Sequence, residues 1–261
     1  MTSAEDRPHH GINHHARRAS SFGRRAADYA AHRPGYPVAA VRWALAPVAT
    51  GGPLRVLDLA AGTGKLTGVL CAEGHEVTAV EPDEAMLSEL VRLNRGVRAL
   101  PGTAERIPLP DGTMDAVVVG QAFHWFDPEP AMAEIARVLR PGGVVAALWN
   151  GHDERVPWVA ELDKVSRSTI NASDLMANRD LQAAHPLFRE PAEEVFPHSQ
   201  RRTAELLVAT IGTTSHVLVA PEPERAELVA DVLAYLKSRP ETATGEFDVP
   251  LLTVVRRQVR L

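Results

Sequence analysis

The sequence has almost no cysteine, no long apolar run and no hydrophobic leader at its start. Among its 261 residues only Cys71 is a cysteine, which excludes an internal disulfide and any zinc site built from several cysteines. No apolar stretch approaches the roughly 18 residues of a membrane helix without a charge, a glycine or a proline. Since no secretory signal is visible either, we expect a cytoplasmic protein that does not bind membranes.

The composition is that of an ordinary globular protein, with 45% hydrophobic and 23% charged residues. The net charge of −5 gives no reason to expect nucleic acid as a partner. The charge is uneven, because residues 1–52 hold seven arginines and only three acids. We interpret residues 1–18 as a flexible basic tail, with a nucleic-acid arm or an intramolecular partner as alternatives. We expect no metal site, since the four histidines of residues 9–15 have no carboxylate or cysteine at regular spacing.

Short apolar runs alternate with helical stretches along the chain. The runs are continuous rather than alternating, which is typical of a parallel sheet covered on both faces. The sequence therefore predicts an α/β fold with a doubly wound sheet. The predicted strands are Leu54–Leu59, Glu76–Val80, Val97–Leu100, Met114–Val119, Val144–Trp149, Val195–Thr203 and Val249–Val259. The predicted helices are Ser20–Ala31, Val38–Ala49, Lys65–Glu73, Asp83–Leu93, Pro128–Leu139, Pro157–Ile170, Ala204–Ile211 and Glu224–Leu236.

The first strand leads into a loop of small residues, Ala60–Gly64, that opens a helix. A phosphate-binding P-loop is excluded, because two positions that it requires carry Leu59 and Leu66. A dinucleotide-binding fingerprint fits loosely, through the glycines spaced from Gly62 to Gly68. The acidic Asp58, which lies on the strand before the glycines, favours a third interpretation, the nucleoside-binding loop of S-adenosylmethionine (SAM)-dependent methyltransferases.

Residues 54–149 resemble the class I SAM-dependent methyltransferases, specifically the small-molecule group called methyltransferase type 11. Five segments in order carry the resemblance: Asp58–Gly64, Val77–Pro82, Gly102–Leu109, Met114–Phe126 and Arg140–Gly143. Further segments are similar to a subgroup that includes trans-aconitate methyltransferase-like and biosynthetic enzymes. These are Phe22-Gly23, Tyr29, Arg33–Pro37 and Gln121–Asp127.

The resemblance implies SAM as the cofactor and S-adenosylhomocysteine (SAH) as its product. Glu81 is expected to accept hydrogen bonds from the ribose hydroxyls, and Asp58 to hold the loop or receive the methionine ammonium group. Ala104 and Glu105 are expected to contact adenine through a backbone N–H group and a carboxylate. The full set of expected cofactor-binding residues is Asp58, Ala60, Gly62, Gly64, Glu81, Pro82, Met86, Thr103, Ala104, Glu105, Gln121, Tyr29 and Arg33.

The expected acceptor is a small molecule that is methylated on a carboxylate or hydroxyl oxygen. His124 is the candidate catalytic residue, as a base or an orienting donor; packing against Trp125 is the alternative. Arg33 offers a planar fork for a carboxylate, either that of SAM or that of the acceptor. The expected acceptor-binding residues are Tyr36, His124, Trp125, Trp149 and Asn150.

The resemblance also implies a Rossmann-like sheet of seven strands, six parallel and the last antiparallel. We divide the chain into the tail 1–18, N-terminal helices 19–52 that cover the active site, a SAM-binding core 53–150 and a C-terminal half 151–261. The C-terminal half is expected to supply the last two strands, together with a segment that covers the acceptor. Two other functions stay open: an NAD(P)-dependent oxidoreductase and a non-catalytic methyltransferase-like module. A monomer and a homodimer are equally compatible with the sequence.

Overall fold

The structure, a computed structural model, describes residues 33–166, 185–212, 217 and 221–261. The predicted tail 1–18 and the predicted helix Ser20–Ala31 lie outside these ranges. So does the end of the predicted helix Pro157–Ile170.

Seven strands form one sheet in the spatial order β3-β2-β1-β4-β5-β7-β6. All neighbouring pairs from β3 to β5 are parallel, whereas β7 runs antiparallel to both β5 and β6. Six strands therefore point one way and β7 the other, which confirms the predicted sheet. The strands are β1 (Arg55–Leu59), β2 (Glu76–Glu81), β3 (Arg98–Pro101), β4 (Met114–Gly120), β5 (Leu139–His152), β6 (Ala192–Arg202) and β7 (Phe247–Val259).

Seven α-helices accompany the sheet in the described part of the chain. They are α1 (Val38–Leu45), α2 (Lys65–Ala72), α3 (Glu84–Leu93), α4 (Pro128–Val138), α5 (Pro157–Val165), α6 (Ala204–Gly212) and α7 (Glu222–Ser238). Two 3₁₀ turns, Ala46–Val48 and Phe123–Trp125, follow α1 and β4.

Two elements differ from the sequence prediction by more than three residues at one end. The predicted helix Val38–Ala49 changes to a 3₁₀ turn after Leu45, where Pro47 cannot donate a backbone hydrogen bond. Strand β5 is longer than predicted at both ends. At its start, Arg140–Gly143 bulges between the paired positions Met114/Leu139 and Ala116/Val144. At its end, pairing with β7 continues to His152 opposite Leu251.

The core lies on both faces of the central strands, as a doubly wound sheet requires. Successive residues of β4 alternate between the faces: Val117 and Val119 pack toward α4, Ala116 and Val118 toward α1 and α2. A third apolar cluster joins α5, α6 and α7 to one end of β7. None of the described helices is both long and apolar enough to cross a membrane.

The strand order locates the ligand-binding region. The chain moves outward from β1 through β2 to β3 and then returns to place β4 on the other side of β1. Open α/β sheets bind ligands at such a switch point, outside the carboxyl ends of the strands. The relevant ends here are those of β1 and β4, at Leu59 and Gly120.

Candidate active site

A cavity of about 340 Å³ opens at the carboxyl ends of β1, β2, β4 and β5. Residues 33–36, which precede α1, supply one of its walls. Fifteen of the residues predicted to bind cofactor or acceptor line it. They are Arg33, Tyr36, Asp58, Ala60, Gly62, Glu81, Pro82, Met86, Thr103, Ala104, Glu105, Gln121, His124, Trp125 and Asn150.

Asp58 is fully buried at the end of β1 and has one engaged and one unengaged carboxylate oxygen. Its Oδ2 accepts a hydrogen bond of 2.5 Å from Thr67 Oγ1 of α2, so the carboxylate fixes the helix to the strand. Its Oδ1 has no hydrogen-bond partner among the described residues. Burial raises the pKa of the Asp58 carboxyl to about 7; the Thr67 hydrogen bond opposes this rise and the Glu81 charge adds to it.

The loop after β1 has a left-handed backbone at Ala60 (φ +56°), Gly62 (φ +56°) and Gly64 (φ +82°). Glycine adopts these angles without strain, whereas alanine does not. Gly64 is the N-cap of α2 and packs against α3: a Cβ atom there would lie 2.8 Å from Leu90 Cγ. Gly64 is not on the cavity wall, so its place in the structure is that of a packing glycine rather than a ligand contact.

Glu81, at the end of β2, ties the loop to the neighbouring strand. Its Oε2 accepts from Gly62 N at 2.9 Å and its Oε1 from Asp83 N at 3.0 Å. Burial raises the pKa of Glu81, and these two backbone hydrogen bonds oppose the rise. The carboxylate retains a lone pair on each oxygen, because each oxygen can accept two hydrogen bonds. It is therefore both the organiser of the loop and an acceptor that faces the cavity.

Part of the cavity wall is apolar, because Met86, in the first turn of α3, and Ala104 are buried there. Asp83 caps α3 by accepting from Met86 N at 2.9 Å. Glu105 Oε1 accepts from Asp127 N at 3.1 Å, so one oxygen of this carboxylate is already used to hold the loop before α4.

The end of β4 carries a second strained residue, Gln121, with φ +58°. Its Nε2 donates to Asn150 O at 2.8 Å, which joins the ends of β4 and β5. Gln121 and Ala60 are the two non-glycine residues with positive φ in the described ranges, and both line the cavity. Strain concentrated at one place in a fold is a mark of a functional site.

Tyr36 reaches the same strand end. A Cβ atom on Gly120 would lie 2.5 Å from the Tyr36 hydroxyl, so a larger residue there would displace the phenol. His124 and Trp125 follow in the 3₁₀ turn, with ring centroids 4.6 Å apart. Both rings line the cavity, so His124 packs against Trp125 and still contacts the cavity.

Asn150 of β5 holds the N-terminal wall in place. Its Nδ2 donates to Gly35 O at 3.0 Å, and its Oδ1 accepts from Thr253 Oγ1 of β7 at 2.5 Å. Thr253 Oγ1 also lies 3.0 Å from His198 Nε2 of β6. Because the hydroxyl has one proton, which it gives to Asn150, His198 Nε2 is the donor in that second contact. A buried polar chain thus runs from the edge strand to the cavity wall.

Two described residues of the predicted site, Gly64 and Trp149, are not on the wall. Trp149 is 1% exposed and packs in the core beside Val119 and Ala147, because its side chain points to the opposite face of β5 from Asn150. The prediction that Trp149 contacts the acceptor is corrected by this placement. Tyr29 lies outside the described residues.

Several residues at or behind the cavity wall were not predicted, among them Thr63, Lys65, Thr253 and His198. Thr63 and Lys65 line the cavity, and their position within or directly after the glycine loop is a signal that the sequence offers for them. Thr253 and His198 act through Asn150, and no local pattern marks them, because strand register alone brings them together. No group of three or more His, Cys, Asp or Glu side chains in the described ranges is arranged to hold a metal ion.

Known proteins are similar to this chain in sequence and in fold. Residues 57–147 match the family model described as a methyltransferase domain. An uncharacterized methyltransferase of Mycobacterium tuberculosis (strain ATCC 25618 / H37Rv) is 38% identical over 238 residues, which cover 91% of this chain and 94% of the relative. A malonyl-[acyl-carrier protein] O-methyltransferase of Methylococcus capsulatus is 40% identical over 101 residues, or 36% of each chain.

A solved structure agrees over almost its whole length. A putative type II methyltransferase from Anaeromyxobacter dehalogenans matches with a TM-score of 0.64 and 28% identity, covering 87% of this chain and 97% of that one. These matches reject the NAD(P)-dependent oxidoreductase, which the glycine loop had left open as an alternative function. The chain belongs to the class I methyltransferase family, and it is a SAM-dependent methyltransferase.

Proposed function

We propose that this enzyme transfers the methyl group of SAM to an oxygen of a small-molecule acceptor, a carboxylate or a hydroxyl. The observation that carries the proposal is the composition of the cavity just described. Carboxylates of β1 and β2 line this cavity together with Arg33, His124 and Trp125. The partial relative from Methylococcus capsulatus, named as an O-methyltransferase, supports oxygen as the acceptor atom.

The residues present fit SAM. The buried Asp58 Oδ1, which has no hydrogen-bond partner among the described residues, suits the methionine ammonium group. Glu81 suits the ribose hydroxyls, and Met86 with Ala104 provides an apolar wall for adenine. When bound, SAM supplies an activated methyl group on its sulfonium sulfur.

Methyl transfer needs little covalent participation by the protein. Its residues hold the acceptor oxygen in line with the methyl group and exclude water, which supplies most of the acceleration in such transfers. A hydroxyl acceptor also needs a base, and His124, which lines the cavity, is our candidate for that role. A carboxylate acceptor is already ionised at neutral pH, and Arg33 then orients it. The similarity to the trans-aconitate methyltransferase-like subgroup supports the carboxylate, and we infer a cytoplasmic enzyme of small-molecule biosynthesis.

The experiment measures binding first and transfer second. Calorimetry with SAH and with NADPH tests the cofactor, and we expect binding of SAH alone. Incubation with methyl-labelled SAM and a panel of small carboxylates and hydroxyl compounds then tests transfer, with mass spectrometry of the products. Binding of SAH without transfer to any panel member would instead favour the non-catalytic module.

A further inference from the structure

The end of β5 carries a histidine–aspartate pair that the proposed function does not use. His152 is the last residue of β5, and its Nδ1 lies 2.6 Å from Oδ1 of Asp163 in α5. The side chain of Asp163 is only 6% exposed, whereas that of His152 is 21% exposed. The second carboxylate oxygen, Asp163 Oδ2, is buried and has no hydrogen-bond partner in the described part of the chain. A buried acid therefore holds a histidine that is still partly exposed.

Attachment of α5 to the rest of the protein does not require this pair. Trp158, Val159 and Leu162 already fasten α5 through the apolar cluster that it shares with α6, α7 and one end of β7. Burying a carboxylate costs free energy, and apolar side chains of similar volume often stabilise a fold as well as a buried charged pair does. A buried acid with one unpaired oxygen is better explained by the chemistry that it gives to His152.

That chemistry follows from which ring nitrogen of His152 carries the proton. A carboxylate only accepts hydrogen bonds, so the proton in the contact with Asp163 lies on Nδ1. In the neutral ring, Nε2 is then left with a lone pair. Nε2 has no hydrogen bond with any residue that the structure describes. His152 therefore presents a hydrogen-bond acceptor whose orientation Asp163 fixes.

His152 lies beyond the cavity wall, on the face of β5 that carries Asn150. Side chains alternate along a strand, so these two residues point to the same face, with about 6.5 Å between their Cα atoms. Asn150 lines the cavity and holds Gly35 of the N-terminal segment. His152 itself is not on the wall. Its position therefore suits the part of a ligand that extends past Asn150.

We propose that His152, oriented by Asp163, accepts a hydrogen bond from a hydroxyl group of the methyl acceptor, away from the oxygen that is methylated. His152 is then a specificity-determining residue and Asp163 a positioning residue. The proposal rests on the proposed function, because it requires that the methyl acceptor binds beside Asn150. It narrows the acceptor from any small carboxylate or hydroxyl compound to one that carries a further hydroxyl group.

The first test asks which nitrogen of His152 carries the proton. Protein with isotopically labelled histidine is observed by nitrogen NMR at pH 8, and the His152 signals are assigned by their absence in His152→Gln. We expect a protonated Nδ1 and an unprotonated Nε2 in the wild type and in Glu161→Gln, the matched control at an exposed position of α5. In Asp163→Asn the amide donates to Nδ1, so the proton moves to Nε2. A proton on Nε2 of the wild-type protein overturns the proposal.

The second test compares acids that differ by one hydroxyl group. SAH-saturated protein is titrated in a calorimeter with malate and succinate, with citrate and tricarballylate, and with 4-hydroxybenzoate and benzoate. We expect the wild type to bind the hydroxyl-bearing member of at least one pair about threefold to tenfold more tightly. Asp163→Asn loses this preference, and so does the double variant His152→Phe/Asp163→Leu, which leaves no buried charge. Both variants bind SAH like the wild type, and Glu161→Gln keeps the preference.

Two results of the titrations overturn the proposal: a wild type without a hydroxyl preference in any pair, and a preference that persists in the double variant. A purely structural pair gives the second result, because its loss changes the affinity for both members of a pair equally. Failure of the proposed function is distinguishable from both, because the wild-type protein then does not bind SAH or transfers no methyl group.

Discussion

The two halves of the cavity are built in different ways. In the first half, formed by the loop after β1 and the end of β2, Asp58 binds Thr67 nine residues away and Glu81 binds Gly62 nineteen residues away. In the second half, Asn150 binds Gly35 over 115 residues and Thr253 over 103. We call these the local half and the assembled half. The comparison teaches that the half expected to hold the cofactor folds from neighbouring segments, whereas the half expected to hold the acceptor depends on the whole sheet.

The largest effect is expected from Glu81→Ala in the local half. The variant loses the acceptor of two backbone hydrogen bonds and, by our proposal, two charge-assisted bonds to the ribose. We expect SAH affinity to fall about tenfold to a few hundredfold, measured by calorimetry.

The matched control for this variant is Glu76→Ala, an exposed glutamate at the other end of β2. It should bind SAH like the wild type. If Glu81→Ala did so too, with its fold intact by circular dichroism, Glu81 would not belong to the nucleoside site and the local half would have another purpose.

The same contrast explains which features of the fold and of the site could be predicted from the sequence. The strand order, Glu81 and the glycine loop follow from short-range patterns: an apolar run, a turn and a capped helix. The orientation of Trp149 was not accessible, because the two faces of β5 are both apolar and give no sign of which side chain meets the cavity. Thr253 and His198 were missed because only the register of β5, β7 and β6 brings them to Asn150.

The second effect concerns the protonation of Asp58. Its pKa of about 7 means that the carboxyl gains a proton as the pH falls below 7. A protonated carboxyl no longer attracts the methionine ammonium group, so SAH affinity of the wild type should weaken by up to about tenfold per pH unit below 7. In Asp58→Asn the affinity should be lower at pH 8 and lack this pH dependence, when both proteins are compared by calorimetry from pH 8 to pH 5.

The free energy of unfolding should change in the opposite direction to SAH affinity, because it should increase as the pH falls. The folded carboxyl binds a proton near pH 7 and the unfolded one only near pH 4, so the folded state gains stability as the pH falls from 8 to 5. The unfolding free energy of the wild type should rise by about 2–3 kcal/mol relative to Asp58→Asn over that range. Urea unfolding at each pH measures it. Parallel curves for the two proteins would show that Asp58 stays ionised throughout.

The assembled half is tested by Thr253→Val, which we expect to have a smaller effect. The change removes the hydroxyl that donates to Asn150 Oδ1 and accepts from His198, and leaves a buried amide oxygen without a donor. We expect a stability loss of about 1–3 kcal/mol. Acceptor KM should rise several-fold, because Gly35, which Asn150 holds, and the neighbouring cavity-lining Tyr36 are less firmly held.

The readout that separates positioning from general damage is SAH affinity, which should stay unchanged in Thr253→Val at a temperature where the protein is folded. Thr253→Ser keeps the hydroxyl and should restore KM. A loss of SAH affinity that matches the change in KM would mean that the two halves are not independent, which would break the comparison.

The smallest effect is expected from His124→Gln. His124 lines the assembled half beside Trp125, where a ring nitrogen can act as a base or as a hydrogen-bond donor. If the acceptor is a carboxylate, as we propose, it carries no proton to remove at pH 7. Glutamine keeps a donor of similar reach, so kcat should fall no more than about threefold, with SAH affinity unchanged. A general base contributes about 10²–10⁴ in rate. A drop above a hundredfold that shrinks as the pH rises would therefore identify a hydroxyl acceptor and make His124 its base. Single-turnover measurements at pH 6, 7 and 8 distinguish these outcomes.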